Sequence, residues 1–498
     1  MNIKQLFVIV LISVSLLSFS QDYRYTKTLF SSSTVTSDIV YCSVPILDSP
    51  FSDESATTVT SLTMDIYQPT GDVFTQRPVI IFAHGGGFVE GNKNVDDMTA
   101  FCDSFARKGY VTVSINYRQG VEVYDNGDLH YTRAAYRGLQ DGRAAIRYLR
   151  ANAIIYGIDT SKIYWGGNSA GSFIGLNSIF MDESEKPAYA GDVSYVITVL
   201  GVPTTYTGPD LGDIDSGDNL SYSGEPTAVM SCWGGVGDTS IINANNNNNL
   251  FLVHGTADDI VDFNSGTPFG LTGVSAVYGS NSINTRLNSV GIPAQMTYFV
   301  SGAEHEFYGV TNGNWTNDSC GNEYWDTIVT KATMFYHLQH KPSANFRFTE
   351  DNLVVYYADT SVGADSWFWD FGDGNISTIQ NPQNTYSTAG NYNVKLYIEN
   401  SILSWDTVSY NITVGNVGVN INKNKRVEIF PNPTKTYFSV NISGQVVTEV
   451  SVIDITGKEV LTEINSSIID LSNYSKGVYF IRVKTNSGNL FVSKLIKE

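Results

Sequence analysis

Between about residues 60 and 340 the chain alternates short, continuous apolar runs with amphipathic stretches, and this alternation narrows the fold more than any other feature. Leu62–Tyr67, Val79–Ala83, Val111–Tyr117, Ile163–Gly166, Tyr195–Leu200, Leu250–His254 and Gln295–Val300 are the strand candidates. Several are apolar at nearly every position, as strands covered on both faces must be. Between them, Asp96–Lys108 with Gly109 as its C-cap is predicted to be helical. So is Arg133–Ala151, where Ala135, Leu139, Ala145, Ile146 and Leu149 recur at roughly helical spacing. β and α segments alternating at these lengths predict an α/β architecture with a mostly parallel central sheet and right-handed crossovers.

After Lys341-Pro342 the helical pattern stops, and short alternating strands separated by Asn, Gly and Ser turns continue to the end. Two small all-β sandwich modules are expected, at 343–415 and 427–498, joined by a linker at 416–426. The 498 residues exceed one compact domain, and about two to four domains fit that length. Residues 1–20 read as a secretory signal. Lys4 supplies the charge, Leu6 to Leu17 the apolar run, and Ser18-Phe19-Ser20 the cleavage site. The α/β segment would then occupy 21–342. No later stretch is apolar and long enough to span a bilayer, so no membrane span is expected in the mature chain. A net charge of -19 argues against a nucleic-acid partner, since phosphate binding needs clustered Lys and Arg. Cys42, Cys102, Cys232 and Cys320 leave one or two disulfides open after export.

Three short motifs carry chemistry. His84-Gly85-Gly86-Gly87-Phe88 directly follows an apolar strand. Glycines there let the backbone turn tightly and point N–H groups at an oxyanion, where a Cβ would obstruct. Gly167-Asn168-Ser169-Ala170-Gly171 follows another strand and has the G-x-S-x-G form of a strained strand-to-helix elbow. Alone it is weak, because 44 glycines make chance matches common. Asp258 and His305 each follow a further strand, so the order Ser169, Asp258, His305 is that of a nucleophile, orienting acid and base gathered at one sheet edge. Asp259 and Asp262 compete with Asp258, and His254 with His305. His254 lies within a strand end and reads as structural, while His130, His337 and His340 read as loop or helix-surface residues. Asp213–Asp218 lacks the glycine and distal glutamate of a calcium loop, so no metal site is expected. Trp233, Tyr206 and Phe269 are candidate pocket walls, and Ser172–Leu250 is long enough to contribute a lid.

With these motifs, residues 60–340 resemble the α/β-hydrolase fold, and within it the carboxylesterases and hormone-sensitive-lipase-like esterases that carry His-Gly-Gly-Gly. The resemblance implies a secreted serine carboxylesterase. Ser169 would be the nucleophile, His305 the general base and acid, and Asp258 its orienting partner. The N–H groups of Gly86, Gly87 and Ala170 would form the oxyanion hole, and no cofactor would be needed. The substrate would be an ester, with polysaccharide-linked acyl groups or polyesters as open options. A serine peptidase of the same fold, or a non-catalytic adhesion protein built on it, are the alternatives. The chain departs from many relatives in having Asn168, not an acidic residue, before the serine. Asp262 also stands where a proline is common, and Glu304 and Glu306 flank His305.

Downstream, Trp367-Phe368-Trp369-Asp370-Phe371-Gly372-Asp373-Gly374, with Asn381-Pro382 and Tyr386–Tyr392, resembles a PKD-type immunoglobulin-like domain. Such a module serves as a spacer or as a weak contact with polysaccharide or another surface. Phe430-Pro431-Asn432-Pro433, Asp454–Lys458, Gly477–Arg482 and the terminal Lys494–Lys497 resemble the type A sorting domain of the Bacteroidetes type IX secretion system. That resemblance implies the type IX machinery as a partner, and an extracellular or outer-membrane-surface location.

Overall fold

The computed structural model describes residues 23–48, 54, 57–121, 127–199, 202–271, 273–317, 320–415, 427–442 and 444–498. The expected signal segment and linker lie outside them.

The α/β part is built on eight strands. They are β1 (Ser33–Leu47), β2 (Thr57–Pro69), β3 (Arg77–Ala83), β4 (Val111–Ile115), β5 (Ile158–Asn168), β6 (Ala228–Cys232), β7 (Leu250–Gly255) and β8 (Met296–Val300). Their spatial order is 1-2-4-3-5-6-7-8. β1 and β2 join antiparallel and β2 meets β4 antiparallel. Every pairing from β4 onward is parallel. Successive residues of β3 divide between two cores: Val79, Ile81 and Ala83 enter one, Ile80 and Phe82 the other. This is why the run carries no polar residue after Arg77.

Helices α1 (Asp96–Ala106), α2 (Gly127–Ala151), α3 (Ala170–Phe180), α4 (Ser280–Ser289) and α5 (Glu323–Leu338) cover the sheet. α1 and α5 pack Met98, Phe101, Phe105, Ile328 and Phe335 on one face. α2, α3 and α4 place Ile146, Leu149, Ile174, Ile283 and Leu287 on the other. The chain leaves β3 toward one side of the sheet and β5 toward the other. Their carboxyl ends therefore open the crevice where ligands of open α/β sheets bind.

Several expectations are corrected. Tyr195–Leu200 does not enter the sheet. Val193–Val199 folds back on Val202–Gly208 as a separate two-stranded ribbon. The vacant sheet position is taken by Ala228–Cys232, whose five residues are all buried between β5 and β7. That run lies inside the segment read as an insertion, and its Ser231 and Cys232 blur the apolar signal. All four cysteines are free thiols, three of them buried. His130, His337 and His340 are buried, not on the surface.

The segment 343–414 forms a sandwich of three- and four-stranded antiparallel sheets around Trp369, Phe371, Val394 and Leu396. Residues 427–498 form a second around Phe438, Val450, Val452, Ile481 and Leu495. The first sandwich docks on the α/β part. His340 bonds Tyr110 at 3.0 Å on one ring nitrogen and Ser404 at 2.9 Å on the other. Tyr25 donates to the Ile402 carbonyl at 3.0 Å, and Lys341 pairs with Asp406 at 2.7 Å. Burial in this interface lowers the proton affinity of both His337 and His340. Among the described residues no helix is long and apolar enough to cross a membrane.

Candidate active site

The turn after β3 takes its shape from glycine. Gly86 has φ +97, and a Cβ there would stand 2.2 Å from the Glu90 carbonyl oxygen. Gly87 follows at φ +57. Beneath the turn, the His84 ring is buried, which lowers its pKa to about 4 despite the bond to Gly85. Neutral His84 donates Nδ1–H to the Gly85 carbonyl at 2.7 Å. Tyr117, stacked on that ring at 4.3 Å, donates to the His84 carbonyl at 2.8 Å. The carbonyls are thus engaged behind the turn. The N–H groups of Gly86, Gly87 and Ala170 donate to no acceptor among the described residues.

Ser169 sits between β5 and α3 at φ +47, ψ -118, a conformation that costs a non-glycine residue on the order of 1–3 kcal/mol. Its N–H is held by the Cys232 carbonyl of β6 at 2.9 Å. Both elbow glycines allow backbone contact. A Cβ on Gly167 would lie 2.4 Å from the Gly171 carbonyl carbon, and one on Gly171 would lie 2.0 Å from the Ala83 oxygen. His84, Gly85, Gly167 and Gly171 shape the loops without lining the cavity.

Asp258 follows β7. Its Oδ1 accepts from the N–H groups of Ile260 and Val261 at 3.0 and 2.9 Å. Its Oδ2 accepts from His305 Nδ1 at 2.8 Å. Burial alone would raise this carboxyl, but the bonds from His254 and His305 hold it well below the usual carboxylate range. The structure thus pairs His305 with Asp258, and neither Asp259 nor Asp262 takes that place. His254 is fully buried, bonded to the Ser280 hydroxyl at 2.8 Å and the Val261 carbonyl at 2.9 Å, and it flanks Asp258 from behind at 3.2 Å. Trp233 packs edge-on against the His305 ring at 6.0 Å.

Among the described residues no hydrogen bond joins Ser169 to His305. Their loops are connected behind the site by Asp97, Asn168 and Tyr308. Sequence reasoning missed Asp97, because an acid in the first turn of a helix is ordinary dipole complementation. Tyr117 and Tyr308 carried no motif.

Ser169, Ala170 and Gly87 open into a cavity of about 510 Å³. Phe88, Tyr131, Leu139, Phe173, Ile241 and Phe269 give it apolar and aromatic walls. Asp128, Glu185 and Asp238 are its charged lining residues, with no Lys or Arg among those described. Phe269 reaches it as anticipated. Trp233 does not line it. Asp215, within the stretch compared with a calcium loop, is occupied by Arg143 and Arg147. No cluster of metal-ligating side chains occurs among the described residues.

Eight strands in this order, with a serine elbow after β5, a carboxylate after β7 and a histidine after β8, define the α/β-hydrolase fold. Residues 64–270 match the BD-FAE family model. Residues 342–414 match the PKD domain, and 428–498 the secretion system C-terminal sorting domain. The chain therefore carries an α/β-hydrolase domain that matches the BD-FAE model, followed by regions that match these two modules. Its sorting domain marks it as secreted or held at the outer-membrane surface.

Among curated proteins, carboxylesterase 3B of Mus musculus is 30% identical over 181 residues, which is 34% of this chain and 29% of that protein. Phenmedipham hydrolase of Pseudarthrobacter oxydans is 32% identical over 129 residues, 25% of this chain and 23% of that protein. The chain thus spans less than a third of the length of these relatives. Among solved structures, apo Thermogutta terrifontis esterase 2 aligns at 19% identity over 63% of this chain and 96% of its own, with TM-score 0.40. A truncated carbohydrate esterase from gut microbiota aligns at 19% identity over 63% and 98%, with TM-score 0.39.

Proposed function

We propose that the chain is a secreted serine esterase that hydrolyses carboxylic esters through an acyl-enzyme on Ser169. The observation that carries the reading is the 2.8 Å bond from His305 to Asp258, beside a largely apolar cavity that Ser169, Ala170 and Gly87 line. His305 Nε2 takes the Ser169 proton as the oxygen attacks the ester carbonyl. Asp258 keeps Nδ1 protonated and stabilises the imidazolium that forms. The N–H groups of Gly86, Gly87 and Ala170 receive the oxyanion, each contributing on the order of 10²–10³ in turnover. His305 then protonates the leaving alkoxide as the C–O bond breaks. Water repeats the cycle on the acyl-enzyme, releasing the acid and restoring the serine.

The cavity walls disfavour an anionic acyl group, because the charged lining residues among those described are acids. Esters borne on polysaccharide, or polyesters, are the polymeric substrates a secreted three-module layout fits, with the PKD domain as spacer or surface contact. The type IX machinery would be the partner of residues 428–498. Ser169→Ala should abolish hydrolysis of p-nitrophenyl acetate while the far-UV circular dichroism stays unchanged. Retention of more than a few per cent of the rate refutes the reading.

A further inference from the structure

Behind the cavity, the loops that carry Ser169 and His305 converge on one buried carboxyl. Asp97 lies in the first turn of α1 and is 0% exposed. Its Oδ2 accepts from Asn168 Nδ2 at 2.5 Å and from the Tyr308 hydroxyl at 2.6 Å. Its Oδ1 accepts from the Met98 N–H at 2.7 Å. Asn168 Nδ2 also lies 3.1 Å from the Tyr308 oxygen, closing the triangle. Asn168 immediately precedes Ser169, and Tyr308 is the third residue after His305. The node touches the turn after β3 as well: a Cβ on Gly85 would lie 2.8 Å from Asn168 Oδ1. That Oδ1 is buried without a partner. One side chain of α1 therefore holds together the elbow and the histidine loop, and abuts the glycine turn.

We propose that Asp97 is a positioning residue whose carboxyl group holds the serine elbow and the histidine loop in the register that lets His305 serve Ser169. The proposal rests on the serine-esterase reading. Its physical basis is the direction of the bonds. Asn168, Tyr308 and the Met98 N–H converge on the carboxyl, so that both of its oxygens are bonded. Packing alone would be met by an amide or an apolar residue, which avoids burying a charge without a cation. The groups around it offer no cation: Asp96 on its own helix, Glu306 and Tyr308 on the histidine loop, and Cys232 at the end of β6. Burial therefore pushes the Asp97 carboxyl up to about 8, and the nearby Glu306 and Asp96 add to this against the bonds from Tyr308 and Met98. Protonation would remove one acceptor site and loosen the node, so kcat should rise as pH passes through about 8. Asn168 also becomes intelligible. Its amide faces the Asp97 carboxyl across the interface as donor.

The exchange of these two side chains is the test. Asp97→Asn, Asn168→Asp and the double variant are compared with wild type by p-nitrophenyl butyrate kinetics from about pH 6 to 9. Fluorophosphonate labelling rate and thermal melts complete the set. Asp97→Asn should lower kcat by on the order of 10²-fold, the cost of a displacement near 1 Å, with KM within about twofold and the ionisation near pH 8 lost. Asn168→Asp should be impaired as well, because two carboxylates at this distance cannot both ionise. The double variant restores one carboxylate facing one amide and should recover at least about tenfold over the worse single variant. Unchanged kcat and pH profile in Asp97→Asn, or a double variant no better than the singles, overturns the proposal. Should Asp97→Asn fail to fold, the comparison of Asn168→Asp with the double variant decides. A wild type that hydrolyses no ester would refute the esterase reading instead.

Discussion

Gly171→Ala offers a severe test of how the site is assembled, because its size can be worked from distances. Gly171 lies in the first turn of α3, where the helix meets β3. An added Cβ would stand 2.0 Å from the Ala83 carbonyl oxygen, 2.5 Å from the Ala83 carbonyl carbon and 2.8 Å from the His84 oxygen. All three are backbone atoms, so no rotamer change relieves the contact. Reaching even a tight 3.0 Å requires the elbow and the end of β3 to separate by about 1 Å. Those two segments carry Ser169 and the Gly86–Gly87 turn, and the shift would open the gap between nucleophile and oxyanion donors. A displacement of that size costs on the order of 10²-fold in turnover, and overpacking a core costs roughly 1–3 kcal/mol of stability. Gly390→Ala is the control, since the nearest atoms to its new Cβ are at 3.7 Å, ordinary contact. Steady-state kinetics, fluorophosphonate labelling and melting temperature should all fall for Gly171→Ala and none for Gly390→Ala. A Gly171→Ala enzyme with wild-type kcat and stability would refute the argument that close backbone contact sets this geometry.

Two further outcomes follow from the titrating groups. Asp258→Asn should lower kcat by roughly 10³–10⁴, because His305 loses the acceptor that fixes its tautomer. Because the folded carboxyl is held below its usual range, the melting deficit of that variant should be constant above about pH 5 and shrink as pH falls further. Buried His84, His337 and His340 all bind protons less readily in the folded state, by burial first. Their contribution is complete above the unfolded value near 6.5, and is lost as pH falls toward 4. His84 alone accounts for about 3 kcal/mol of that loss. Melts of wild type and His340→Gln between pH 7 and 4 check this: the variant should show a shallower acid decline, and an identical slope contradicts it.

The fold and the chemistry were unevenly legible in the sequence. Continuous apolar runs such as Val79–Ala83 announce a doubly covered strand, because each residue must enter one core or the other. The glycine turn and the serine elbow were readable because each obeys a local backbone rule. Ala228–Cys232 was not, since a five-residue strand with two polar or sulfur side chains is indistinguishable from loop until β5 and β7 flank it. Tyr195–Leu200 misled for the converse reason: an apolar run also suits a free-standing ribbon.

What the sequence determined by itself was the set of proposed reacting groups and the alternation that carries their loops to one edge of a parallel sheet. Both depend on interactions within a few residues. Only the tertiary structure decided which distant groups meet. It buried His130, His337 and His340, left the cysteines unpaired, and set Asp97 of α1 against Asn168 and Tyr308. Such contacts join residues 71 and 211 positions apart, and no local periodicity encodes them. They arise when helices and loops that cover a shared sheet are packed together so that most of their buried polar groups find partners.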